Sequence, residues 1–247
     1  ESVLAKSYNN LANIYSGTQR FKESEDMFKA AIQICERLAK ENPMVYELDL
    51  ATSYSNLGTL YSGTQRFKES EDMFKAAIQI YERLAKENPK AYEANLATSY
   101  NNLGNLYSDT QRFKESEDMH KAAIQIYERL AKENPKAYEA NLATSYNNLG
   151  NLYSDTQRFK ESEDMHKAAI QIYERLAKEN PKAYESDLAR SYNNLGILYI
   201  NTQLFKESEK MFKAAIQIYE RLAKENPKVY ESDLAKSYNN LANIYSG

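Results

Sequence analysis

Apolar and small residues recur three and four positions apart along this chain, and the pattern restarts every 46 residues. The tyrosine of a Ser-Tyr-[Asn/Ser]-Asn motif marks each restart, at Tyr8, Tyr54, Tyr100, Tyr146, Tyr192 and Tyr238. Within one period, Leu96, Tyr100, Leu103, Gly104 and Tyr107 share one face of a helix predicted over about 90–109. Phe113, Met119, Ala123, Ile126, Tyr127 and Leu130 do the same for a second helix over about 113–133. Helix pairs repeated without a strand signal predict an all-α fold, an α-solenoid of antiparallel helix pairs.

Two kinds of connection alternate. Within a pair, "SDTQR" (or "SGTQR" in earlier copies) supplies turn formers. Gly17 and Gly63 are expected to take a left-handed helix C-cap, a conformation that Asp109 tolerates less well. "ENP" closes each second helix, because the residue before proline is pushed out of helical geometry. Residues 88–133 and 134–179 are identical at all 46 positions. The last 17 residues repeat the first 17 except at Val3 and Asp233. The expected organisation is one repeat domain, 1–247: five helix pairs over 1–230 and a terminal helix over 231–247.

The series Tyr100, Leu103, Gly104, Tyr107, Ser116 and Ala123 resembles the tetratricopeptide repeat signature. Its Asn-Asn-Leu-[Gly/Ala] core is most similar to the longer repeats of kinesin light chains, and the resemblance runs through every unit. It implies a right-handed superhelix whose first helices line a concave groove for peptides. Two positions depart from the family pattern. Gln111 stands where an inter-helix glycine is usual, and the proline after the second helix comes late, at Pro135.

Charge and chemistry narrow the function. A net charge of −3 gives no electrostatic reason for nucleic acid or an anionic membrane as partner. No apolar run is long enough to cross a bilayer. The single cysteine, Cys35, suits a reducing, cytoplasmic setting. The chain starts at Glu1 with neither initiator methionine nor signal-peptide pattern, and is expected to be a processed piece or an excised segment.

His120 and His166 replace a phenylalanine of the other repeats and read as packing residues. One period apart, they are too distant to share a metal ion without further ligands. Cys35 occupies a tyrosine slot and reads as a packed thiol. Nine charges in the twenty residues from Lys114 to Glu133 describe a solvated face with local ion pairs. No nucleotide-binding or zinc motif occurs. No catalytic residue, metal site or cofactor is expected, and the chain does not read as an enzyme.

The first helix carries no charge between Ala94 and Ser108. Ala94, Thr98, Asn101, Asn105 and Ser108, four or three apart, form a neutral stripe opposite the packing face. The resemblance places Asn101, Asn147, Asn193 and Asn239, with Asn105 and Asn151, in the groove. An asparagine amide both donates and accepts, so it can pair with a peptide backbone. Whether these asparagines bind a ligand or only stabilise the stack stays open here. Thr52, Thr98 and Thr144 stand where Lys6, Arg190 and Lys236 occur elsewhere, so the groove lacks a basic clamp for a strongly acidic C-terminal tail.

The fifth repeat drifts. Ile197 replaces Asn105, Ile200 replaces Ser108, Leu204 replaces Arg112 and Lys210 replaces Asp118. Ile197 and Ile200, beside Arg190, read either as a side-chain pocket for a partner or as packing at a solenoid end. The leading expectation is a protein-interaction scaffold for extended peptide segments. The alternatives are a structural array that self-associates through the C-terminal helix and a sensor arm of a larger signalling protein.

Overall fold

The computed structural model describes residues 1–245, and among them it contains eleven helices and no strand. The first helices of the pairs are α1 (Ser2–Gly17), α3 (Pro43–Gly63), α5 (Pro89–Asp109), α7 (Pro135–Asp155) and α9 (Pro181–Asn201). The second helices are α2 (Phe21–Glu41), α4 (Phe67–Glu87), α6 (Phe113–Glu133), α8 (Phe159–Glu179) and α10 (Phe205–Glu225), and α11 (Pro227–Tyr245) follows them. The chain packs as two compact units, Glu1–Ile126 and Tyr127–Gly247, which divide within α6. In each unit a helix packs on the next in sequence, and first helices of successive pairs also touch: α1 with α3 and α3 with α5, α7 with α9 and α9 with α11. The terminal helix starts at Pro227 rather than 231, because proline with its fixed φ and missing N–H opens it. Ser246 and Gly247, at the expected end of that helix, lie outside the described residues.

Proline sets the junction between pairs. Asn88 leaves the helix at φ −141°, ψ 82°, and Pro89 is already the first residue of α5, so one residue joins the two helices. The turn within a pair corrects the glycine expectation. Gly17 and Gly63 end their helices in helical geometry, and no described glycine has a positive φ. The left-handed residue comes two positions later, at Gln19, Gln65, Gln111, Gln157 and Gln203, with φ of 59–60°. In the third repeat Gln111 N donates to Ser108 O at 2.9 Å, and Arg112 N reaches back to Tyr107 O at 2.7 Å. That pair of bonds is the Schellman closure, which needs its left-handed residue at Gln111. The apolar contact that often seals such a turn is here a guanidinium over a ring: Arg112 lies 4.1 Å from the Tyr107 centroid.

Helices of one pair approach closely. A Cβ added to Gly104 would stand 2.7 Å from the His120 ring, and one on Gly58 would stand 2.8 Å from Phe74. The same proximity lets a buried serine of the second helix donate to a carbonyl of the first, from Ser70 to Gly58 at 2.8 Å and from Ser162 to Gly150 at 2.7 Å. Successive pairs are tied by the motif tyrosine. Tyr100 donates to Glu82 at 2.7 Å in the first unit, and Tyr192 to Glu174 at 2.6 Å in the second.

Replacing Gln111 with glycine removes the left-handed penalty at the cost of a more flexible unfolded chain, for an expected gain of about 0.5–1 kcal/mol. Gln111→Val, whose branched Cβ resists positive φ, should lose about 1 kcal/mol or more. Urea midpoints of the two variants against the parent check both directions.

Candidate functional site

The candidate surface is the first-helix face, and its residues belong to two groups. The predicted stripe is interrupted at its centre. Asn101 and Asn147 are only 8% and 7% exposed, whereas Asn105 and Asn151, one turn further on, lie open to solvent. Asn101 lies against His120 of its own pair, and Asn147 is covered in addition by Ser191 of the neighbouring pair. Spacing along one helix shows which side faces its own partner helix, but not what the next repeat covers.

In the second unit Asn147 Nδ2 donates to Ser191 Oγ at 2.7 Å, and Ser191 Oγ donates to Asp187 O at 2.8 Å. Asn147 Oδ1 stands 3.1 Å from His166 Nδ1. With the amide donating to serine, the oxygen is the acceptor, so His166 carries its proton on Nδ1. A directed chain results, from His166 through Asn147 to Ser191 and on to the backbone. In the first unit His120 Nδ1 meets Asn101 Oδ1 at the same 3.1 Å.

Where phenylalanine replaces the histidine, that oxygen loses its donor. Asn193 Nδ2 still reaches Ser237 Oγ at 2.8 Å and Asn9 Nδ2 reaches Ser53 Oγ at 2.8 Å. Yet Asn193 Oδ1, facing the Phe212 position, and Asn9 Oδ1, facing Phe28, are buried without a partner. Ser55, the equivalent residue opposite Phe74, has an orphan hydroxyl as well. The Phe-to-His exchange in the middle repeats thus satisfies a buried amide that elsewhere stays half-used.

The remaining candidates spread along the second unit. Arg190 is exposed and pairs with Asp187 on its own helix. Ile197 is 42% exposed and Ile200 half-buried, and Asn239 on α11 is exposed. Thr98 and Thr144 are exposed and return their hydroxyls to Ala94 O and Ala140 O, both at 3.0 Å. The face therefore offers small neutral groups whose donors are partly engaged, with exposed asparagine amides between them.

A cleft of about 300 Å³ opens in the first unit between α1, α2 and α3. Asn13, Ser16, Asn56 and Thr59 line it, with Phe21 and Phe28 beside them. Asn13 and Thr59 are the period equivalents of Asn105 and were absent from the predicted site, although the 46-residue period itself points to them. Cys35 is 2% exposed, and burial pushes its thiol pKa up. No group of three or more metal-ligating side chains converges among the described residues, and no described helix is long and apolar enough to cross a membrane.

Burial lowers both histidines from the ordinary 6.5 to about 4. Between those values the unfolded chain takes up protons that the folded chain refuses, so stability is intact above pH 6.5 and falls as pH drops toward 4. The expected loss is on the order of 3 kcal/mol per histidine. Urea unfolding at pH 7 and 4.5 should show this loss, and the His120→Phe/His166→Phe variant should shed that part of the pH dependence.

Residues 3–83, 49–129 and 95–175 each match a family model described as tetratricopeptide repeat, and residues 188–227 match a second model of the same description. Among solved structures, BtubC (BKLC) from P. vanneervenii is similar at 23% identity and a TM-score of 0.73, over 92% of this chain and 83% of that one. A putative kinesin light chain from Podosopora anserina with nearly identical TPR-like repeats is similar at 15% identity and a TM-score of 0.66, over 92% of this chain and 98% of that one. The apo form of RapI follows at 14% identity and a TM-score of 0.70, over 98% of this chain and 82% of that one. These likenesses are of fold. No curated protein matches the sequence.

Proposed function

The chain belongs to the tetratricopeptide repeat family, and from that membership we propose that it is a non-enzymatic scaffold holding extended segments of partner proteins along its first helices. Repeats of this family are generally non-catalytic and generally mediate protein–protein interaction. The observation that carries the finer reading is the neutral, repeated first-helix face, with Thr98 and Asn105 exposed in one unit and Thr144 and Asn151 in the other. An extended segment advances about 3.3 Å per residue, so a repeat spaced like packed helices offers its amide about every third residue. Asn105 in the first unit and Asn151 in the second each meet the backbone of a bound segment. Asn147 and Asn193 hold neighbouring first helices, and Asn101 is engaged by His120 of its own pair, so that the exposed amides keep their place. Arg190, Ile197, Ile200 and Asn239 give one end selectivity for an apolar side chain next to a carboxylate. Preformed helices keep the ordering cost on the receptor side small.

A peptide selected from a random library tests this reading. Asn105→Lys/Asn151→Lys, which leaves the buried network alone, should weaken its binding roughly tenfold or more. Unchanged affinity would overturn the first-helix assignment. A second reading, self-association through α11, has in its favour the exposure of Tyr238 at 45% and Tyr245 at 64%. Light scattering across a concentration series should then show a mass that rises with concentration, and a constant monomer mass would remove that reading.

A further inference from the structure

The second-helix side of the fifth repeat departs from its sister repeats in charge. In the second and fourth repeats a lysine in the first turn pairs with an aspartate four residues on, Lys68 with Asp72 at 3.4 Å and Lys160 with Asp164 at 3.1 Å. In α10 Lys206 holds the lysine position and Lys210 replaces the aspartate, so an ion pair becomes two like charges one turn apart. Both are exposed, and neither has an ion-pair partner among the described residues. Lys213 continues the row one turn on, its ammonium held by Glu209 at 2.5 Å.

Lys210 also lines two clefts. One, of about 450 Å³, runs along α10 past Lys206, Lys210 and Lys213, with Glu209 beside them. The other, of about 360 Å³, lies between α8 and α10 over α9. Ile170, Leu195 and Met211 give it apolar wall, and Lys167 and Lys210 line it together with Glu174 and Glu207. Glu174 accepts the Tyr192 hydroxyl at 2.6 Å, and Glu163 holds Lys167 at 2.7 Å. The unpaired charges left are Lys206 and Lys210 and one carboxylate, Glu207, next to an apolar recess.

We infer that this face of the fifth repeat is a second docking surface, for an acidic segment of a partner protein that carries one apolar side chain. Carboxylates of the segment pair with Lys206 and Lys210, and its apolar side chain enters between Ile170, Leu195 and Met211. The surface is independent of the first-helix face. Its charges are exposed, so its affinity is modest and sensitive to salt.

Fluorescence anisotropy with the labelled peptide Gly-Ser-Asp-Glu-Leu-Glu-Asp-Ser-Gly tests the assignment. The expected result is saturable binding that weakens roughly tenfold in Lys210→Asp, a variant that restores the residue of the sister repeats and so preserves the helix. Binding should weaken similarly when the peptide leucine becomes glycine, and should fade in about 0.5 M salt. Asn151→Lys, on the first-helix face, should leave it unchanged. No saturation up to about 1 mM peptide, unaltered affinity in Lys210→Asp, equal binding of the glycine peptide, or sensitivity to Asn151→Lys would each overturn the assignment.

Discussion

The close approach of the two helices in each pair governs the rest of the structure. A glycine on the first helix admits an aromatic or imidazole ring of the second almost to backbone contact, as at Gly58 with Phe74 and Gly104 with His120. A buried serine then sits near enough to donate to the first helix's own carbonyl. Neither contact survives if the helices separate by the width of one methyl group. Because that geometry is fixed, the motif tyrosines find a glutamate of the preceding helix at 2.5–2.7 Å in every repeat junction where the bond is formed.

Much of this was legible in the residues. Apolar spacing located both helices of a pair, and proline marked the start of each later first helix, because both signals act within one helix turn. The left-handed position was harder to read. Glycine at 17 and 63 drew the expectation, yet the closing hydrogen bonds count back from Arg20 and Arg66 and so fall on Gln19 and Gln65. The site was legible only in outline. The uncharged face was visible, but the depth of Asn147 depends on the next first helix, which carries Ser191 and which a single helical period does not encode. The histidines read correctly as packing residues, while their bond to the asparagine needed three dimensions.

The two faces of the repeat have opposite electrostatic character. First helices present neutral groups whose polarity is largely spent on neighbours, as the Asn147–Ser191 bond illustrates. Second helices present charges that pair within a turn, such as Lys75 with Glu71 at 2.7 Å. A substitution on the first face alters shape and hydrogen bonding, whereas one on the second alters local charge. The fifth repeat has changed on both faces at once, through Ile197 and Ile200 on one and Lys210 on the other.

The one-residue joint at Asn88–Pro89, repeated at Asn180–Pro181, has no slack. An inserted or deleted residue there, carried into the helix that follows, would turn its core face by about 100° against the helix before it. Gain or loss of a whole 46-residue unit leaves each joint as it was. The array can therefore change length only in quanta of one helix pair, and the identity of 88–133 with 134–179 is the form that such a step takes.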